Sequence, residues 1–272
     1  MAKKQTYDYI IIGSGASGAV IANRLSGSGA TVLVLEAGSG DDDPNIHAPG
    51  GFTALWGSDI DWQLMTENQP GMADRALMIN QGKVKGGSTS INAMMYVRGN
   101  PGNFDMWNAL GADGWSYADV LPYFKALEDY EGGESEYHGV GGEISVRDCP
   151  DDVMRSEPFL KGATEIGYDG PYWDYNGARQ ENGAALLQFH ISRDNQRTSA
   201  ATAFLDPIAE RKNLTITLGA QVGKIVVVDG RATGVNYVKG GKNHTAHATK
   251  EVIVSAGALH SPQLLLLSGI GP

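Results

Sequence analysis

Gly13, Gly15 and Gly18 stand in the spacing Gly-x-Gly-x-x-Gly within the stretch IIIGSGASGAVIANRL. Residues this small let backbone amides come close to a bound phosphate. Residues 7–12 read as a buried strand, a short apolar run ended by glycine. Residues 16–25 carry Ala19, Ala22 and Leu25 at helical spacing, and Gly27 and Gly29 stop them. Residues 31–35, TVLVL, read as a second strand. A strand–turn–helix–strand unit of this kind aims free N–H groups and the positive end of a helix dipole at the turn, where a diphosphate is favoured. Gly13 permits the tight turn, Gly15 the approach of the diphosphate past Ala16 and Ser17, and Gly18 the close packing of helix on sheet. Glu36 ends the second strand, eighteen residues after Gly18. An acid there accepts hydrogen bonds from ribose hydroxyls and repels a 2′-phosphate, which disfavours NADP. The motif by itself leaves FAD and NAD open.

The elements that must position these residues follow from the rest of the chain. Its 272 residues suffice to bury a core. Glycine, at 37 residues, is in excess and clusters near the candidate chemistry. A net charge of −10 disfavours nucleic acid and anionic lipid as partners. The single cysteine, Cys149, excludes an internal disulfide framework. No window approaches the roughly 20 apolar residues of a membrane span, and no signal-peptide core is visible, so a cytoplasmic location is the expectation. Residues 41–102 are loop-rich, with the acidic run at 41–43 expected as a solvated loop. Helical pattern is expected within 103–131, at 159–166, at 200–211 and from about 261 to 268. The segments at 214–219, 224–230 and 231–242 read as an antiparallel meander, with Asp229-Gly230 as a hairpin turn. Residues 251–257 return to a buried strand. The expected class is α/β, with a parallel sheet built on a βαβ unit.

A second glycine cluster, GKVKGGSTSIN at 82–92, runs into AMMYVRGNPGNFDMW, and a third segment, GALHSPQLLLLSGIG, occupies 257–271. With VLEAG, DWQLMTENQP, WSYADVLPYF and RTSAATAFL, these segments resemble the glucose–methanol–choline (GMC) oxidoreductase family along essentially the whole chain. The nearest likeness is to its bacterial choline-dehydrogenase-like branch. The resemblance implies a Rossmann-type FAD-binding fold, an antiparallel meander and part of an α+β substrate domain. It makes residues 1–272 the N-terminal portion of an FAD-binding domain. Its cofactor segments would lie at about 6–40, 80–100 and 213–272, with a partial substrate-domain insert at about 150–212.

The resemblance also assigns roles. Gly82, Gly86, Gly87, Ser88, Asn92, Ala93, Met94 and Met95 would lie along the flavin, and Ala37 beside Glu36. The main chain of Val222 would hold adenine, with Ala256 and Gly257 beside the ribityl or diphosphate portion. Ile91 replaces the histidine that carries covalent FAD in some members, so non-covalent FAD is expected. Lys85 departs from the aliphatic residue usual before the Gly-Gly pair and is read as a surface lysine. The family oxidises an alcohol by hydride transfer to flavin N5, with a catalytic His/His or His/Asn pair near the C-terminus. No counterpart of that pair lies in this sequence. His47, His138, His190, His244, His247 and His260 read as surface or structural, with His260, inside the third glycine segment, the one to look for near the flavin. His244-x-x-His247 has no third metal ligand. The implied partners are a complementary C-terminal polypeptide and a small alcohol. The alternatives to this reading are an FAD-containing lyase or decarboxylase, a non-catalytic cofactor-binding subunit and an NAD dehydrogenase. The last lacks a second mononucleotide-binding repeat.

Overall fold

A computed structural model describes residues 6–150 and 156–272 of the chain. The polar N-terminal residues 1–5 and residues 151–155, at the start of the expected insert, lie outside the described residues. The strands are β1 (Thr6–Ile12), β2 (Val32–Leu35), β3 (Leu64–Met65), β4 (Met78–Ile79), β5 (Glu128–Tyr130), β6 (Ile144–Asp148), β7 (Gln188–Phe189), β8 (Leu214–Thr217), β9 (Ala220–Val228), β10 (Arg231–Lys239) and β11 (Lys242–Val254). The helices are α1 (Ala16–Gly27), α2 (Pro44–His47), α3 (Pro101–Ala109), α4 (Tyr117–Leu127), α5 (Glu157–Glu165) and α6 (Gly257–Leu267). The chain divides into two compact units, Ala93–Thr198 and the described residues on either side of it. Among the described residues no helix is long and apolar enough to cross a membrane.

The first unit is built on a six-stranded sheet in the order β8-β2-β1-β11-β10-β9. Strands β8, β2, β1 and the second half of β11 run parallel. The first half of β11 pairs antiparallel with β10, which pairs antiparallel with β9. His247 marks the change of partner, opposite Gly234 on one side and Thr6 on the other. The parallel strands read as unbroken apolar runs because both faces are covered. Ile10, Ile12, Leu33 and Leu35 join Ile225, Val235, Tyr237 and Leu264 in one buried cluster. Each such aliphatic side chain contributes about 1.5–3 kcal/mol by burial. Helix α1 closes the βαβ unit and buries Gly18, Ala19, Ala22 and Ser26.

Several expectations are corrected. Residues 214–219 are not part of the meander: β8 lies at the opposite edge of the sheet from β9 and pairs parallel with β2. An alternating pattern signals a strand but not its neighbour. The 251–257 strand is the end of the 13-residue β11. The 200–211 helix is instead a π-helical turn at Ala201–Leu205 and a 3-10 turn at Asp206–Ile208. Pro207 has no N–H with which to continue an α-helical ladder. Within 103–131, α3 and α4 are separated at Gly111 and Gly114, both at positive φ, and β5 follows. The hairpin at Asp229-Gly230 is as expected, with φ of 48° and 77° as a type I′ turn requires. The second unit combines α3, α4 and α5 with the sheet β5-β6-β7.

Gly18 shows how tightly the βαβ unit closes. A Cβ there would lie 2.0 Å from the carbonyl oxygen of Gly13. Alanine gains about 1 kcal/mol over glycine in a helix, but an overlap with rigid backbone outweighs that gain. Gly18→Ala is therefore expected to lower stability by roughly 1–3 kcal/mol. Gly223→Ala, where a Cβ meets nothing within 4 Å, should change it by less than about 0.5 kcal/mol. Thermal unfolding followed by circular dichroism checks both; equal melting temperatures for the two variants would contradict the packing argument.

Candidate functional site

A cavity of about 660 Å³ opens in the first unit where the parallel strands end, within the roughly 300–1,000 Å³ range of small-molecule sites. Its wall includes Gly13, Gly15, Ala16 and Ser17 from the first turn, and Glu36 and Ala37 after β2. Gly82, Gly87 and Ser88 come from the second glycine cluster, Val222 from β9, and Ala256 and Gly257 from the end of β11 and the start of α6. Three glycine segments far apart in sequence thus meet. A Cβ on Gly13, at φ +95°, would lie 2.5 Å from the Ser255 carbonyl oxygen, and one on Gly87 would lie 2.8 Å from the Gly15 Cα. These cradles exist only because side chains are absent. No side chain caps the N-terminus of α1, so its first-turn amides stay available to an anion.

Glu36 is 5% exposed. Its Oε2 accepts from the Ser14 amide at 2.9 Å and the Ser14 hydroxyl at 2.7 Å, and its Oε1 accepts from the Gly38 amide at 2.9 Å. Its backbone is held from both directions, by Glu36 N donating to Thr217 O and Ala220 N donating to Glu36 O. The carboxylate is thereby fixed at the cavity wall.

Other predicted residues stand elsewhere. Gly18 packs behind the turn, and Gly86 packs against Ser90 and Ala201; neither lines the cavity. Asn92 is off the wall, its amide donating to Ser88 O at 3.0 Å. Ala93, Met94 and Met95 belong to the second unit. There Met94 is buried at φ 60° with its carbonyl accepting from His190 N, and Met95 is 53% exposed. Lys85 is not a surface lysine: its ammonium pairs with Asp206 and, at 3.2 Å, with Asp41. Burial opposes its charge, but the bond to Asp206 and the charge of Asp41 outweigh it and hold its pKa above the usual lysine value. Asp41 is accordingly buried, whereas Asp42 and Asp43 are exposed as expected.

Gln81 and Gln263, which no motif marks, also line this cavity, together with Trp62 and with His260 from the third glycine segment. The Trp62 and His260 rings lie 4.3 Å apart, and the Lys83 ammonium sits 4.8 Å from the Trp62 ring centroid. Burial pushes the His260 pKa below the ordinary histidine value. Trp62 is anchored through its amide to Gln81 O at 2.8 Å. Its neighbour Asp61 is buried and accepts from Gly57, Gln63, Gln81 and Asn80. Trp62, Gln81 and Asp61 lie in the irregular stretch, where no periodicity points to a common site, while His260 and Gln263 stand on α6.

The GMC oxidoreductase family model matches residues 7–272. This chain belongs to that family. It is 43% identical over 269 residues to an oxygen-dependent choline dehydrogenase of Rhizobium etli, covering 97% of this chain and 48% of the relative. It is similar to the crystal structure of pyridoxine 4-oxidase from Mesorbium loti, with TM-score 0.90, 34% identity, 97% of this chain and 52% of that one covered. An FAD-dependent oxidoreductase from Chaetomium thermophilum matches with TM-score 0.89 at 32% identity, over 98% of this chain and 48% of that one. The chain spans about half the length of the curated relatives it matches. The α/β class with a parallel and an antiparallel portion agrees with these structures.

The histidines of this GMC chain are accounted for individually. His47 Nε2 contacts Asp41 O at 2.7 Å, and His244 stacks on Tyr237. His190 is buried beside Tyr96, and its Nε2 has no partner among the described residues. Burial and the Arg197 charge push its pKa down to about 4. His138 completes a buried charge network in the second unit. Its ring nitrogens meet Glu128 at 3.1 Å and Asp174 at 3.0 Å, while Glu128 also pairs with Arg98 at 2.8 Å. Burial opposes the charged imidazole, but the hydrogen bonds to Asp174 and Glu128 outweigh it and push its pKa up to about 9. A histidine pKa raised on folding stabilises fully below the unfolded value of about 6.5, and that stability is lost as pH rises through about 9. Unfolding of the second unit should therefore become easier between pH 6.5 and pH 9.5. His138→Gln should flatten this dependence while lowering stability at pH 6. Denaturant melts across that range check it, and a variant with the parental pH slope would contradict the assignment.

Proposed function

We propose that this chain binds FAD non-covalently and forms the cofactor-binding half of an enzyme that oxidises a small alcohol at its CH–OH carbon. The observation that carries this reading is the convergence of the Gly13–Gly18, Gly82–Ser88 and Ser255–Gly257 backbones on one cavity beside the fixed carboxylate of Glu36. The first-turn amides of α1 would cradle the diphosphate, and Glu36 would accept from the adenosine ribose. Val222 would meet adenine through its main chain, and Ser88 would serve the flavin side. When bound, FAD supplies the hydride acceptor, N5. Ile91 supports non-covalent attachment: it is 2% exposed, packs with Ile46, Leu55 and Val84, and carries no nucleophile.

In this reading the general base and its partner come from a complementary C-terminal portion; among the described residues the cavity wall carries one histidine, His260, and no asparagine. The exposed Leu266, Leu267 and Ile270, at 57%, 61% and 43%, give that portion an apolar surface to cover. A net charge of −10 argues for a small-molecule substrate rather than nucleic acid. Choline is the first alcohol to try, given the name of the 43% identical relative.

The chain produced with its C-terminal portion is expected to be yellow and to release all its flavin on acid precipitation. Flavin that stays in the pellet would contradict non-covalent binding. Anaerobic addition of the right alcohol should bleach the flavin absorbance. Turnover with the flavin remaining oxidised would instead indicate lyase chemistry. Glu36→Gln should weaken FAD binding about tenfold, the worth of one charge-assisted hydrogen bond, and a purified protein without flavin absorbance overturns the reading.

A further inference from the structure

The hydroxyl of Ser14 does something the glycine spacing around it does not require. Ser14 is fully buried. Its Oγ accepts from the Gly86 amide at 3.3 Å, which directs the hydroxyl hydrogen toward Glu36 Oε2, 2.7 Å away. The Ser14 amide donates to the same oxygen at 2.9 Å. An ionised carboxylate offers about four acceptor directions, two on each oxygen. Ser14 fills both on Oε2, and the Gly38 amide at 2.9 Å fills one on Oε1. One direction remains, on Oε1.

We propose that Ser14 is a positioning and specificity-determining residue, restricting Glu36 to a single acceptor direction and therefore to one hydroxyl of a nucleotide's ribose. The proposal rests on the FAD reading above and deepens it. A ribose presents two neighbouring hydroxyls, and an unencumbered carboxylate takes both, one on each oxygen. With Oε2 occupied from within the protein, only the hydroxyl facing Oε1 is recognised. The other is left to solvent or to another group. Ser14 thus makes the site selective for an unmodified hydroxyl at one ribose position and indifferent at the other. The Gly86 contact is what holds the hydroxyl in this role, since without it the O–H could rotate away and reopen Oε2.

The test is calorimetric titration of the flavin-depleted protein, full chain with its C-terminal portion, by ADP, 2′-deoxy-ADP and 3′-deoxy-ADP. In the wild type one deoxy analogue should bind about tenfold more weakly than ADP, the loss of one hydrogen bond to a charged group, and the other within about twofold of it. Ser14→Ala frees an Oε2 direction, so both analogues should then lose affinity relative to ADP. Ser14→Thr keeps the hydroxyl and should restore the one-sided pattern, which a merely structural role for the side chain would not. Equal losses, or no loss, for both analogues in the wild type overturn the assignment, and that measurement needs no variant to fold. A wild type that binds neither FAD nor ADP overturns the cofactor reading itself.

Discussion

The first unit depends on backbone meeting backbone without side chains between. Helix α1 approaches the sheet so closely that a methyl group at Gly18 would overlap the Gly13 carbonyl, and Gly13 in turn sits against Ser255 at the end of β11. On the other flank a Cβ on Gly87 would lie 2.8 Å from the Gly15 Cα, and one on Gly82 would lie 2.3 Å from the Gly87 carbonyl oxygen. Side chains at these points would separate the segments. The cavity between them would then lose the amides that make it attractive to an anion. Tight packing and ligand cradle have the same physical origin.

Charge is handled differently in the two units. In the first, the buried Glu36 is satisfied by the Ser14 hydroxyl and two backbone amides, with no ion pair among the described residues. That leaves acceptor capacity at the cavity wall. Lys85, next to Gly86, is neutralised by Asp41 and Asp206, which ties down the base of the second glycine turn. In the second unit Arg98, Glu128, His138 and Asp174 satisfy one another. The side chains of Arg98 and Glu128 are fully buried, so removing either one strands the other's charge at a cost of about 3–5 kcal/mol.

Much was written locally in the sequence. The spacing of Gly13, Gly15 and Gly18 between a β-branched run and a helical one dictates a strand–turn–helix, because only glycine allows the turn and the close packing. Asp229-Gly230 dictates a hairpin for the same conformational reason. Gly13, Gly15, Gly18 and Glu36 were legible as a dinucleotide turn because a diphosphate demands such backbone, whereas the other two glycine segments joined them only through the family resemblance. Partnership was not legible. Which strand β8 pairs with, that β11 changes partner at His247, that Lys85 finds two acids, and that the Trp62 ring lies against His260 are all contacts between distant residues. Their local patterns admit several neighbours. Even Ser14, a variable position within the motif, acquired its role only when folding carried Gly86 and Glu36 to its hydroxyl, for a hydrogen bond depends on where the partner ends up and no spacing along the chain encodes that.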